Sequence, residues 1–162
     1  MAEARIRYRG QGFSLQREKN RFVLPAQLRS MVKQSSEKML VCLVKHPEWR
    51  CIEGFGLSHV DEIEAEIARD AAHAADKGLP FNKQLRLAQL NIMSEVPFDG
   101  SGRFVMPNAL MSVARIEKEM FFHGIGDSFL IWNPDELAQM GEGWEAIIAA
   151  CEDERARAKA AK

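Results

Sequence analysis

Arg21-Phe22-Val23-Leu24-Pro25-Ala26-Gln27-Leu28 and Arg103-Phe104-Val105-Met106-Pro107-Asn108-Ala109-Leu110 are one phrase written twice, 82 residues apart. Ser30 and Ser112 keep the same register. A fixed-offset repeat of this kind decides the fold before any single element does. Upstream of each Arg lies a short extended piece, Gly12–Leu15 and Glu95–Phe98. A turn follows each. In the second copy it is Asp99-Gly100-Ser101-Gly102, where Gly supplies positive φ and Asp bonds its own backbone. In the first it is Arg17-Glu18-Lys19-Asn20, with Asn for the left-handed position.

The phrase itself begins as a short β run. Pro25 and Pro107 are suited to the first position of a helix, where no N–H is missed. Short helices are predicted from Ala26 to about Lys33 and from Asn108 to about Ala114. Each copy then gives a hairpin: Met39–Val44 with Trp49–Phe55, and Met120–His123 with Ser128–Trp132. A unit of about 50 residues is marginal alone. Two copies in one chain bury each other's open faces, which predicts a pseudo-symmetric pair.

Between the copies, 58–91 reads as helical. Val60, Ile63, Ile67, Ala71 and Ala74 share a helix face, with Ser58 as cap and Asp61 in the capping-box position. Asn82 caps a second helix carrying Leu85, Leu87, Ala88 and Leu90. Asn133-Pro134-Asp135-Glu136 starts another. Residues 143–160 form a last helix that dissolves into a frayed tail.

The chain has 162 residues and a net charge of −1, which hides an asymmetry. Residues 1–50 carry +7 and residues 51–162 carry −8; within 1–33 there are 8 basic residues against 2 acidic. A basic first third suggests a local polyanion-binding surface. The polar, basic N-terminus lacks a signal peptide's apolar stretch, and no apolar run approaches the roughly 20 residues of a membrane span. Three scattered cysteines, Cys42, Cys51 and Cys151, make no disulfide scaffold, so a cytosolic protein is expected.

Cys42, His46, Cys51 and His59 lack zinc-ligand spacing, and Cys42 sits in the apolar run Leu40–Val44. No nucleophile elbow, P-loop or dinucleotide fingerprint occurs. A Cys42–His46 hydrolase is the enzyme rival, and that Cys lacks an activating environment. His123 before Gly124 reads as a turn histidine. No metal, cofactor, small-molecule substrate or enzymatic activity is expected.

The repeats resemble those of the MraZ family of bacterial transcription regulators, whose chains carry two AbrB-like units. The family motif is an Asp, two further residues, a Gly-Arg pair, then an apolar run ending in Pro. Asp99 to Pro107 matches it almost fully. Lys19 to Pro25 matches with Asn20 for the family's Gly, and Arg17 stands where the family has Asp. Tyr8-Arg9-Gly10 looks like the family's opening; Val41-Cys42, His46-Pro47 and Phe129–Trp132 also fit. The likeness covers roughly residues 6–150.

The resemblance implies an α+β fold with a mainly β core. In it, two tandem AbrB-like units form a pseudo-symmetric swapped-hairpin β-barrel, with a helical insert and a C-terminal helix. The expected divisions are 5–56 for the DNA-binding first repeat, 57–92 for the insert, 93–140 for the second repeat and 141–162 for the last helix and tail. It also implies a homo-oligomeric ring, nucleoid-associated, on double-stranded promoter DNA upstream of the division and cell-wall gene cluster. Lys and Arg at a loop tip displace condensed counterions from a duplex. Arg5, Arg7, Arg9, Arg17, Lys19 and Arg21 all precede or lie in the first loop. Arg7, Arg9, Arg17, Lys19 and Arg21 are the candidate DNA contacts. Arg21 is the leading base reader, since a guanidinium pairs bidentately with guanine O6 and N7. Arg103, beside Asp99, is a further candidate whose other role is bracing its loop. The rival readings are a scaffold that binds an acidic protein and a single-repeat-type antitoxin.

Overall fold

A computed structural model describes residues 6–161. Arg5, counted among the basic residues, lies outside them. Gln11–Leu15 (β1) runs out to the first loop and returns as Arg21–Val23 (β2); Ser94–Pro97 (β5) and Arg103–Val105 (β6) do the same. Each reversal uses a left-handed residue, Asn20 at φ 62° and Gly102 at φ 87°. Asn tolerates that region and Gly enters it without strain. Gly102 has a second constraint: a Cβ there would lie 2.7 Å from the Leu24 carbonyl oxygen.

Pro25 and Pro107 stand one place earlier than expected. Their ψ angles of 139° and 138° are extended, so each is the residue before its helix, Ala26–Ser36 (α1) or Asn108–Val113 (α4). The locked proline φ suits that flanking position as well as the first helical one. α1 continues past Lys33 because Ser35 and Ser36 are buried and bonded. The Ser36 hydroxyl donates to the Leu40 carbonyl at 2.7 Å and accepts from the Leu57 amide at 3.0 Å.

The two hairpins are Leu40–Lys45 (β3) with Ile52–Phe55 (β4), and Glu119–Gly124 (β7) with Phe129–Trp132 (β8). One antiparallel six-stranded sheet has the order β1-β7-β8-β4-β3-β5, and β2 pairs with β6 in a separate ribbon. The repeat relation is visible in that order. β1 pairs with the second copy's β7, β5 pairs with the first copy's β3, and β4 meets β8 at the centre. Neither copy holds its own first strand.

The sheet is open, not a closed barrel: β1 and β5 are its edges. The reason is local. After each edge strand the chain turns into β2 or β6, and these form their backbone ladder with each other, not with the strands of the sheet. The ribbon closes over the sheet by packing instead. Phe22 and Phe104 enter one core with Tyr8, Phe122, Phe129 and Ile131. Helices flanking an antiparallel sheet make the class α+β.

A 3-10 turn, Leu57–His59, leads into Val60–Asp76 (α2), followed by Lys83–Asn91 (α3). Ile67 and Ala74 are buried on the predicted face, and Asn82 caps α3 by accepting from the Leu85 amide at 3.0 Å. Ser58 does not cap α2. Its hydroxyl is 2.6 Å from that of Ser35, which ties the insert to α1. After Pro134–Leu137 (α5), the last helix Glu145–Ala160 (α6) stays helical to its end, where fraying was expected. Arg155 holds it, with Nη2 2.6 Å from Glu119 Oε2, and Lys159 adds a contact to the same carboxylate at 3.3 Å. A forked guanidinium–carboxylate contact fixes geometry better than a point charge does.

His123 is also placed differently. It is buried inside β7, and its Nε2 accepts from Trp132 Nε1 at 2.9 Å. The indole needs an acceptor once buried, and the neutral imidazole supplies it. Burial pushes the His123 pKa down to about 4.

Candidate nucleic-acid interface

The period of two sets the site. In Arg21-Phe22-Val23 and Arg103-Phe104-Val105 the central Phe points inward and its neighbours point outward. The antiparallel register sets Arg21 opposite Val105, Phe22 opposite Phe104 and Val23 opposite Arg103. Opposed residues share a face, so both arginines stand on the outer face of one ribbon. The Arg21 side chain is 57% exposed and the Arg103 side chain 63%. The sequence had assigned these two to separate tasks in separate copies; pairing of β2 with β6 sets them on one surface.

The two arginines differ in restraint. Asp99 Oδ2 accepts from Arg103 Nε at 2.6 Å, while Oδ1 accepts from the Ser101 and Arg103 amides, each at 2.9 Å. This is the bracing role anticipated for Arg103. The Arg103 amide and guanidinium donating to Asp99 hold its carboxyl below the usual range. Among the described residues, the ion pair of Arg21 is with Glu18, at a looser 3.7 Å. Exposed pairs of that length contribute little and yield readily to a better partner.

Arg17 occupies the position of Asp99, so the first loop is braced otherwise. Gln16 Oε1 accepts from the Asn20 amide at 3.1 Å, and the Asn20 side-chain amide donates to Asn108 Oδ1 in the other copy. Ser14 Oγ accepts from the Val23 amide at 2.9 Å. These braces use neutral groups and leave Arg17 and Lys19 exposed at the tip. Among the described residues, no ion pair engages either of them. Gln16, Ser14 and Asn108 were not singled out from the sequence. Two valines, Val23 and Val105, also share the outer face, and the strict alternation of Arg-Phe-Val was the signal for them.

Arg7 and Arg9 are not brought to this surface. They precede β1, whereas the loop follows it, and a five-residue strand spans roughly 17 Å. Arg7 is 40% exposed and lies 3.3 Å from Asp127, beside the bridge between Tyr8 and Gly126. The enzyme and metal candidates are dispersed. Cys42 is buried in β3, and burial raises its thiol to about 11. The His46 ring stacks on Trp49 and accepts at Nδ1 from the Glu48 and Trp49 amides. Among the described residues, no group of three or more His, Cys, Asp or Glu side chains could hold a metal ion. None of the described helices is long and apolar enough to cross a membrane.

Asp99→Ala should lower the urea midpoint at pH 7 and leave it unchanged near pH 2. The sign follows from its lowered carboxyl pKa. The stabilisation is present above the unfolded carboxyl pKa and vanishes as pH falls through the folded one. Equal midpoints for both proteins at pH 7 would mean that this carboxylate braces nothing.

Fold and surface together define a two-repeat α+β protein that presents an exposed cationic β-ribbon. The family model described as "MraZ protein, putative antitoxin-like" matches residues 93–161, the second copy and α6. The departures at Arg17 and Asn20 lie outside that span. The chain is 32% identical to the transcriptional regulator MraZ of Rhodospirillum rubrum over 120 residues, 74% of each chain. It is 28% identical to that of Methylococcus capsulatus over 141 residues, 84% of this chain and 86% of the relative. It is 30% identical to that of Rickettsia akari over 125 residues, 74% and 76% respectively. The chain belongs to the MraZ family.

Proposed function

We propose that this chain is a sequence-specific DNA-binding transcriptional regulator that seats the β2–β6 ribbon and first loop in a duplex. One observation carries the reading: Arg21 and Arg103 stand on one outward face, with exposed Arg17 and Lys19 beside them. A two-stranded ribbon fits the major groove, and loop cations at its end meet the phosphates. Arg21 is the base reader, Arg17 and Lys19 bind phosphate, and Arg103 joins them under the restraint of Asp99. Arg7 and Arg9 are assigned to phosphates further along the duplex. The relatives' names as transcriptional regulators support the same reading.

Family membership supports a finer reading. The units 5–56 and 93–140 act as AbrB-like repeats with exchanged hairpins, carrying the insert 57–92 and the terminal helix 141–162. Several subunits assemble as a cytoplasmic, nucleoid-associated ring and bind operator repeats ahead of the division and cell-wall gene cluster. The chain acts without catalysis or cofactor.

Gel retardation with the chain's own upstream DNA and a scrambled duplex tests the reading. The upstream duplex should be retained preferentially. The slope of log affinity against log salt should be about −3 or steeper, for at least three phosphates per subunit. A slope near zero would remove the electrostatic account. Equal retention of the scrambled duplex would favour a general polyanion-binding scaffold.

A further inference from the structure

The outer face of the ribbon carries two valines as well as two arginines. The Leu24 amide donates to the Gly102 carbonyl, and the Met106 amide donates to that of Asn20. Alternation from these two bonds makes Arg21 and Val105 a non-hydrogen-bonded pair, the kind whose side chains stand closest. Val105 is 51% exposed. With Arg21, Arg103, Asp99 and Phe104 it lines a shallow depression of about 210 Å³. Phe104 faces the core; Val105 faces out. An apolar branch therefore stands at the cross-strand position beside the arginine assigned to the base edges.

Major-groove edges offer hydrogen-bonding atoms and one apolar group, the C5-methyl of thymine. Cross-strand neighbours have Cβ atoms about 5 Å apart, and successive bases are about 3.4 Å apart. A guanidinium on guanine O6 and N7 thus brings its neighbour over the adjoining base pair. We propose that Val105 is a specificity-determining residue that packs on the C5-methyl of a thymine beside the base pair read by Arg21. This rests on the DNA-binding reading above. Val23 makes the matching pair with Arg103, but it is less exposed and its arginine is tied to Asp99. The assignment therefore goes to Val105.

The experiment is a deoxyuridine scan of the upstream duplex, in which each thymine in turn loses only its methyl. At one position the wild-type protein should lose about fourfold in affinity, the worth of one buried methyl group. Val105→Ala, checked for native circular dichroism, should bind the unmodified duplex more weakly by a similar factor. It should be indifferent to deoxyuridine at that position. Ile125→Ala, an exposed apolar residue at the far turn, should keep the wild-type sensitivity. The assignment is overturned if no thymine matters, or if Val105→Ala keeps the wild-type sensitivity; in both cases the regulator reading stands. Failure of the wild-type protein to retain the duplex at all would sink both together.

Discussion

Replacing Lys19 and Arg21 together by Glu should weaken binding to the upstream duplex by at least about 100-fold at physiological salt. A single bidentate arginine–guanine contact contributes ~1–3 kcal/mol of discrimination. Reversing two charges at the loop adds repulsion from the phosphates to that loss. Both side chains are exposed, so the fold should survive, and thermal unfolding would confirm it. Arg21→Ala alone should cost about 10-fold or more, with a salt slope shallower by about one where the contact is to phosphate. Arg103→Ala should cost less, because Asp99 already neutralises that guanidinium at 2.6 Å. A larger loss from Arg103→Ala than from Arg21→Ala would reverse the division of labour between the strands.

Folding stability should fall by about 3 kcal/mol from His123 alone as pH drops from 7 to 4. The imidazole is 8% exposed, and burial moves its pKa from 6.5 down to about 4. Above pH 6.5 both folded and unfolded chains hold it neutral, so it adds no pH dependence. Between 6.5 and 4 the unfolded chain takes up a proton that the folded chain refuses, and the balance shifts toward unfolding. Below about 4 both bind it and the slope from this group ends. His123→Gln keeps a carbonyl acceptor for the Trp132 indole and removes the titration. Urea unfolding of both proteins across this range should show a flatter profile for the variant. Parallel profiles would show that His123 takes up its proton without cost to the fold.

The doubled phrase and its turn chemistry were legible because they are local. Asn20 and Gly102 share one left-handed geometry, and the residues flanking them announce it. The identities of the strand partners were not legible. Period-two alternation marks β1 as a strand equally well whether it pairs with β3 or β7, and only packing of the whole chain chooses β7. The same non-locality hid the site. Nothing near Arg103 in the sequence says that β6 lies against β2, so its arginine looked remote from Arg21. His123 beside Gly124 imitates a turn, and only the buried Trp132 indole reveals its partner. The tail looked frayed because its charges were read without Glu119, far upstream in the chain and yet in contact.

The exchange of first strands bears on how the protein is made. Gln11 aligns with His123, so β1 emerges from the ribosome more than a hundred residues before its partner. At ordinary elongation rates that interval is on the order of ten seconds. During it the nascent basic segment has no strand to join and stays open to chaperones. Maturation of the arginine-bearing ribbon therefore waits on synthesis of β6 and β7 in the second copy.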